Sequence, residues 1–299
     1  MPELPEVERT RLSLLPLIGR TITRATLRRA DICDSFNNDG APLRTTTTDL
    51  LLHGRITSLT RRGKQLAIHT HDDRTLCIQL GMSGKLLLSP PPRGRGQGGG
   101  SNGENSSRPL DPRTSLPPHT HAHWLFDDHT HLLFIDPRRF GGLSTYPSTQ
   151  ALLTHRWSAL GPDALTITAR DLARACDNSH RPIKSLLLDQ CAIAGVGNIY
   201  ADESLFLARI RPTTHAARLK PPHITRLADA IREILKRAIR AGGSTLRNYT
   251  DSRGQPGRAQ TLHAVYARAN KPCIRCGTPL KSIRLAQRAT VYCPHCQPP

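Results

Sequence analysis

Residues 273–296 read CIRCGTPLKSIRLAQRATVYCPHC, two Cys-x2-Cys pairs (Cys273/Cys276 and Cys293/Cys296) separated by sixteen residues. Paired thiolates at this spacing fit a closed, tetrahedral, all-cysteine zinc site. Disulfides are the competing reading, and a reducing interior disfavours them. Four thiolates fill the coordination sphere and leave no position for a reactive water, so the expectation is one structural Zn2+. Between the pairs, residues 287–292 read as a strand, and Lys281, Arg284 and Arg288 add positive charge. A metal-held β-hairpin carrying basic side chains suits a nucleic-acid groove. Cys33, Cys77, Cys176 and Cys191 have no partner spacing and read as ordinary thiols.

Upstream of the cysteines the period is helical. Ile224, Leu227, Ile231, Ile234, Leu235 and Ala238 recur at three and four, and the run stops at Gly242-Gly243. Residues 185–188 and 199–207 are further helical stretches, separated by Ala194-Gly195-Val196-Gly197-Asn198. Residues 20–146 differ: 21–29, 54–60, 65–70, 75–80, 85–89, 123–126, 132–136 and 142–146 are short, β-branched or alternating, and bounded by turns. That many short strands predict a sandwich or barrel. A short helix is expected over 5–15, with Pro5 at a first helical position. Residues 89–118 are Gly, Pro, Ser and Arg, too poor in apolar side chains to order themselves, and read as a surface insertion. The fold class is therefore α+β. Its expected parts are a β-sandwich with a flanking helix (2–147), a linker (148–164), a helical domain (165–262) and the zinc hairpin (263–299).

Lys+Arg number 42 against 23 Asp+Glu, a formal net charge of +19. A surplus of this size attracts phosphates and releases their counterions, which points to nucleic acid. Only seven of the 42 are lysine, and Lys64 stands alone before Lys85. No apolar run nears the roughly 18 residues of a membrane span. The N-terminus carries Glu3, Glu6 and Glu8 and no signal-like core. A soluble cytoplasmic protein with no membrane partner is expected.

Together, these pieces closely resemble the bacterial formamidopyrimidine-DNA glycosylase (8-oxoguanine DNA glycosylase/AP lyase) family over nearly the whole chain outside 89–118. The resemblance rests on Met1-Pro2-Glu3-Leu4-Pro5-Glu6-Val7-Glu8, Arg62-Gly63-Lys64, Leu80-Gly81-Met82-Ser83-Gly84, Asp136-Pro137-Arg138-Arg139-Phe140-Gly141, Gly195-Val196-Gly197-Asn198-Ile199-Tyr200-Ala201-Asp202-Glu203 and the cysteine module. Each motif is weak alone; the ordered set is specific.

The resemblance implies a bifunctional base-excision enzyme with a helix-two-turn-helix in its helical domain. It would act as a monomer on duplex DNA containing oxidised purines or abasic sites. Removal of Met1 would expose Pro2 as a secondary amine. An α-amino group titrates at about 7.7–8.0, so a useful fraction is an unprotonated nucleophile near neutrality. Attack on the sugar C1′ would give an iminium that acidifies the C2′ proton and drives elimination. The family assigns Glu3 as proton donor, Lys64 to β-elimination and phosphate, and Arg288 to phosphate and δ-elimination. A guanidinium stays charged, so charge stabilisation suits Arg288 better than acid catalysis. Glu6 is expected to orient the site or cap the helix.

A stacked base must be extruded before chemistry. Met82, Arg138 and Phe140 match the family's intercalating triad, two wedges and a donor for the orphaned base. Asn198, Lys184 and Tyr200 are expected at the DNA backbone, and His121 matches a DNA-contacting histidine. Gln79 stands where many relatives have His, and Ala267 where a glycine is common. Two alternatives are an endonuclease VIII-like enzyme for oxidised pyrimidines and a non-catalytic zinc-containing DNA-binding relative. Leu4 disfavours the first, whose members typically carry Gly there. The joint presence of Pro2, Glu3, Lys64 and Arg288 disfavours the second.

Overall fold

The computed structural model describes residues 2–43, 49–89, 116–246 and 249–299. Helix α1 (Leu4–Ser13) opens the chain with Pro5 in its first turn. Four strands, β1 (Ile22–Leu27), β6 (Lys85–Ser89), β7 (Thr120–Phe126) and β8 (His131–Ile135), form an antiparallel sheet in the order β1-β7-β8-β6. Five more, β2 (Cys33–Ser35), β3 (Ile56–Arg62), β4 (Gln65–Thr70), β5 (Thr75–Gln79) and β9 (Gly142–Tyr146), form a second sheet in the order β2-β9-β5-β4-β3. Only β2 pairs in parallel in that sheet, along β9. The two sheets share one core. Leu66, Ile68, Leu76 and Ile78 pack in the same cluster as Trp124, Phe126, Leu132 and Phe134. Each such side chain, removed from water, contributes about 1.5–3 kcal/mol. The expected sandwich is thus present. Of the insertion expected at 89–118, residues 90–115 lie outside the described residues.

The stretch read as a linker is more ordered than its composition suggests. It holds α2 (Thr149–His155), started by Ser148, whose hydroxyl accepts the Ala151 N–H. Leu152 and Trp157 pack against Ala67, Cys77 and Tyr146. Trp157 Nε1 donates to Gln65 Oε1 at 3.0 Å. The helical part follows with α3 (Ala169–Cys176), α4 (Ile183–Leu188), α5 (Asn198–Leu207) and α6 (Pro221–Arg240). Helix α3 escaped sequence reading because only Leu172 and Cys176 are buried along its single face.

Helix α1 joins the two halves. Leu4 belongs to the helical core, whereas Val7 belongs to the sandwich core. Nearby, Arg61 Nε donates to Glu8 at 2.9 Å and its Nη1 to Asp163 at 2.7 Å. Asp163 also accepts the Gly63 N–H at 2.8 Å, which fixes the Arg62-Gly63-Lys64 turn.

The C-terminal hairpin pairs β10 (Lys281–Leu285) with β11 (Arg288–Tyr292), Leu285 opposite Arg288. The two loop residues, Ala286 and Gln287, both have positive φ (45° and 58°), as a tight two-residue hairpin turn demands. Among the described residues no helix is long and apolar enough to cross a membrane.

Candidate active site and DNA interface

Pro2 is buried at the foot of α1, and Glu3 directly follows it. The Glu3 carboxylate reaches across to the start of α5. Its Oε1 accepts the Ile199 N–H at 3.0 Å and its Oε2 the Tyr200 N–H at 3.4 Å. Helix starts leave such N–H groups without intrahelical partners, and here a residue 196 positions away caps them. Gly197 makes room: a Cβ there would come 2.2 Å from the Glu3 carboxyl carbon.

A second carboxylate backs the first. Glu6 Oε2 accepts the Glu3 N–H at 2.8 Å, and its Oε1 accepts the Tyr200 hydroxyl at 2.6 Å and the Ser244 N–H at 2.7 Å. Both acids are almost wholly buried. Burial pushes the Glu3 carboxyl above its ordinary value, against the pull of Lys64 and of the two α5 amides. Burial and the neighbouring Glu3 together push Glu6 up to about 7. Glu6 thus caps the start of α1, accepting the Glu3 N–H as the partner of a capping box. Two buried carboxyls this close hold protons at pH values where exposed ones have lost them, which is what a proton donor needs.

Lys64 completes the polar cluster. Burial pushes its ammonium below the usual lysine range, Glu3 and Glu6 pull it back, and Arg288 pushes it down again. Four residues from three sequence-distant places (Glu3 and Glu6, Lys64, Arg288) thus share one electrostatic neighbourhood. Arg288 itself is exposed at the hairpin tip.

Met82, Arg138 and Phe140 occupy two turns bound together by Asp136. Ser83 Oγ donates to Asp136 Oδ1 at 2.5 Å, the Gly141 N–H donates to Oδ2 at 2.7 Å, and the Arg138 N–H donates to Ser83 Oγ at 3.1 Å. Gly81 has φ +60°, and a Cβ there would meet the Phe140 carbonyl carbon at 2.3 Å, so the two turns touch through backbone. Met82 is 41% exposed and Phe140 57%, and the Arg138 guanidinium lies 5.0 Å from the Phe140 ring centre. Large apolar side chains left in water beside an arginine mark a surface built to meet a partner.

Three expected DNA contacts face inward instead. Lys184 is fully buried. It pairs with Asp202 Oδ1 at 2.7 Å and donates to Ala289 O (3.0 Å) and Thr290 Oγ1 (2.8 Å), which uses all three ammonium hydrogens. Its place is therefore to clamp the hairpin to α4 and α5, with no donor left for a phosphate. Tyr200 is 1% exposed, with its hydroxyl on Glu6. His121 is buried, Nε2 hydrogen-bonded to the Asp136 carbonyl at 2.8 Å. Two residues earlier, His119 is exposed, and its carbonyl accepts the Asp136 N–H at 3.1 Å.

The four cysteine sulfurs lie within 4.8 Å of one another, with Cys276···Cys293 at 3.5 Å and Cys273···Cys296 at 3.9 Å. A tetrahedron of sulfurs about 2.3 Å from zinc has edges of roughly 3.8 Å, whereas a disulfide needs about 2.05 Å. The donor set and spacing fit one structural Zn2+. It would hold a hairpin whose base packs on Phe206 and Val265. Cys276→Ser is expected to weaken DNA binding at least ~100-fold, since loss of a structural zinc unfolds what it holds. Both tryptophans, Trp124 and Trp157, report only on the sandwich side. Their emission should stay unchanged while gel-shift affinity falls; tight binding by this variant would contradict the role given to the hairpin.

Three family models match in order: the formamidopyrimidine-DNA glycosylase N-terminal domain over residues 1–143, its H2TH domain over 160–250, and a zinc finger found in FPG and IleRS over 270–299. A formamidopyrimidine-DNA glycosylase of Thiobacillus denitrificans is 43% identical over 99% of this chain and 100% of its own length. The chain belongs to the formamidopyrimidine-DNA glycosylase family. A relative from Solibacter usitatus is 40% identical over 99% of each chain. The MutM (Fpg) crystal structure from Thermus thermophilus superposes with a TM-score of 0.79 at 36% identity, covering 99% of this chain and 98% of that one. A Lactococcus lactis Fpg mutant in complex with Fapy-dG-containing DNA gives 0.80 at 30% identity, with both chains covered fully.

Within this family member, both departures noted in the sequence have a local account. Gln79 accepts a hydrogen bond from Arg156 Nη2 at 3.0 Å. Ala267 adopts φ +58°, the left-handed conformation a glycine takes more readily, so the turn survives at a cost of about 1 kcal/mol. Asn198 begins α5, and its Nδ2 donates one hydrogen to the Ala289 carbonyl at 3.1 Å. The second hydrogen is available for a phosphate. Asn198→Ala is expected to weaken damaged and undamaged DNA alike by about 5–10-fold, the worth of roughly one hydrogen bond. The salt dependence should hardly change, because no charge is lost. Unchanged affinity in a titration would remove Asn198 from the interface.

Proposed function

We propose that this enzyme removes oxidised purines, 8-oxoguanine and formamidopyrimidines, from duplex DNA through a Schiff base at Pro2, and then cleaves the strand by β,δ-elimination. The observation that carries the reading is the junction of Pro2 with a buried Glu3 whose carboxyl burial pushes above its ordinary value, within the electrostatic reach of Lys64. Solved structures of relatives support it, since a Lactococcus lactis Fpg mutant is seen in complex with DNA containing Fapy-dG and Lactococcus lactis Fpg with DNA containing an abasic site.

The steps follow from the residues. Met82, Arg138 and Phe140 enter the stack and occupy the gap left by the extruded nucleotide. The Pro2 nitrogen forms a bond to C1′ as the base leaves, and Glu3 gives its proton to the opening sugar. The secondary amine becomes a cationic iminium, an electron sink that acidifies C2′–H. Loss of that proton expels the 3′ phosphate, with Lys64 nearby to stabilise charge. Arg288 stays cationic throughout and steadies the second phosphate. Zinc takes no part beyond holding the hairpin that carries Arg288. Such an enzyme works as a monomer in the cytoplasm, at the nucleoid where its substrate lies.

A duplex with 8-oxoguanine opposite cytosine, incubated with the purified protein and borohydride, tests the reading. Reduction should fix a covalent adduct through the N-terminal residue. Binding without any adduct would instead support the non-catalytic alternative.

A further inference from the structure

The hydrogen bonds behind Glu6 do not end at its carboxylate. The Tyr200 hydroxyl, which donates to Glu6 Oε1, lies 3.2 Å from Ser244 Oγ, and Ser244 Oγ lies 3.1 Å from His263 Nε2. Glu6, Tyr200 and Ser244 are each no more than 5% exposed, and His263 alone in this row is half-buried and meets solvent. The row crosses four parts of the chain: α1, α5, the turn after α6, and the segment after the short 3-10 turn Ala259–Leu262. Its two hydroxyls can each accept and donate at once, which a proton-passing chain requires. None of the proposed chemistry uses His263.

We propose that His263, acting through Ser244 and Tyr200, is the group by which the buried Glu6 carboxylate exchanges its proton with solvent. His263 Nε2–H passes its proton to Ser244 Oγ, Ser244 passes its own to Tyr200, and Tyr200 passes its own to Glu6 Oε1. One proton moves from imidazolium to carboxylate, the linking hydrogen bonds reverse, and no bond between heavy atoms changes. The inference rests on the function proposed above. A charged Glu6 tightens the hold of Glu3 on its proton, and a neutral Glu6 loosens it, so His263 is a positioning residue for the proton donor.

The electrostatics suit the transfer. Burial lowers the imidazole below its ordinary value, Glu203 on α5 pulls the other way, and the Tyr266 ring stands edge-on at 5.5 Å. Glu6 titrates at about 7. The imidazole thus gives up its proton more readily than an ordinary histidine, and Glu6 takes one more readily than an ordinary carboxylate, so both shifts favour transfer toward Glu6.

Two measurements on the intact protein test this. In an NMR titration of His263, Glu6→Gln is expected to lower the midpoint by at least ~0.3 pH unit, because a negative neighbour has gone. In single-turnover and steady-state excision at 8-oxoguanine, His263→Gln keeps a hydrogen bond to Ser244 but carries no proton. Its steady-state rate should fall about 3-fold more than its single-turnover rate, since only the return of a proton from solvent to Glu6 is slowed. That extra loss should not deepen when Tyr200→Phe, or Ser244→Ala if the former misfolds, has already cut the row. A steady-state rate for His263→Gln that falls no more than the single-turnover rate, or an extra loss that adds to the cut, overturns the relay. A histidine midpoint indifferent to Glu6→Gln sinks the relay alone, whereas absence of excision by wild type sinks the underlying function.

Discussion

Pro2→Gly, with Met1 removed in both proteins, is expected to abolish the borohydride-fixed adduct and to reduce base excision at least ~1,000-fold, within the range set by loss of a covalent route. The change still leaves an N-terminal amine, but a primary one on a flexible residue. Proline's ring fixes the nitrogen's direction at the foot of α1, where Glu3 is held by two α5 amides, and glycine gives up that orientation. Intermediates also differ. A secondary amine passes to a cationic iminium directly, whereas a primary one forms an imine that must pick up a proton to be as strong a sink. DNA affinity should stay within a few-fold, because the wedge residues and the hairpin are untouched. Intact-mass analysis of the trapped species gives the check: an adduct of equal yield on the glycine variant would move the nucleophile elsewhere.

Parts of this site are legible in sequence because their chemistry is local. The cysteine pairs fix the metal by spacing alone, and the strands 65–70, 85–89 and 142–146 end where turn residues end them. The glycines 242–243 stop α6 as expected and so deliver the Ser244 N–H to Glu6. What sequence could not show is which way a side chain faces when two elements compete for it. Lys184 looks like a phosphate contact beside Gly195-Val196-Gly197-Asn198, yet Asp202, five residues after the second glycine of that run and on α5, draws it inward to the hairpin. His121 and His119 share one alternating face by number, but a positive φ of 63° at His119 breaks the alternation and turns only that residue outward. Strand β2 spans three residues and leaves no periodic signal. The capping of α5 by Glu3 is invisible for the same reason: its partners are 196 and 197 residues away.

That long-range cap makes Glu3→Gln the second large effect, and one that separates catalysis from architecture. Gln keeps a carbonyl oxygen able to accept an α5 N–H, so the fold should hold, with a thermal midpoint within a few degrees of wild type. It cannot release a proton, and excision should fall by about 10²–10⁴-fold, the usual worth of a positioned acid. Glu3→Ala should do more. It removes the acid and also leaves the Ile199 and Tyr200 amides buried without an acceptor, at about 1–3 kcal/mol each, so stability falls as well. The wild-type pH profile carries the same logic. Because burial raises the Glu3 carboxyl, its proton-bearing form persists above the ordinary carboxylate range and is lost as pH rises through the folded-state value. Excision should therefore decline on the alkaline side for wild type, and the residual activity of Glu3→Gln should lack that limb. A glutamine variant as active as wild type, with the same alkaline limb, would assign the proton to another group, and the first to examine would be Glu6, whose carboxyl is already held near 7 beside it.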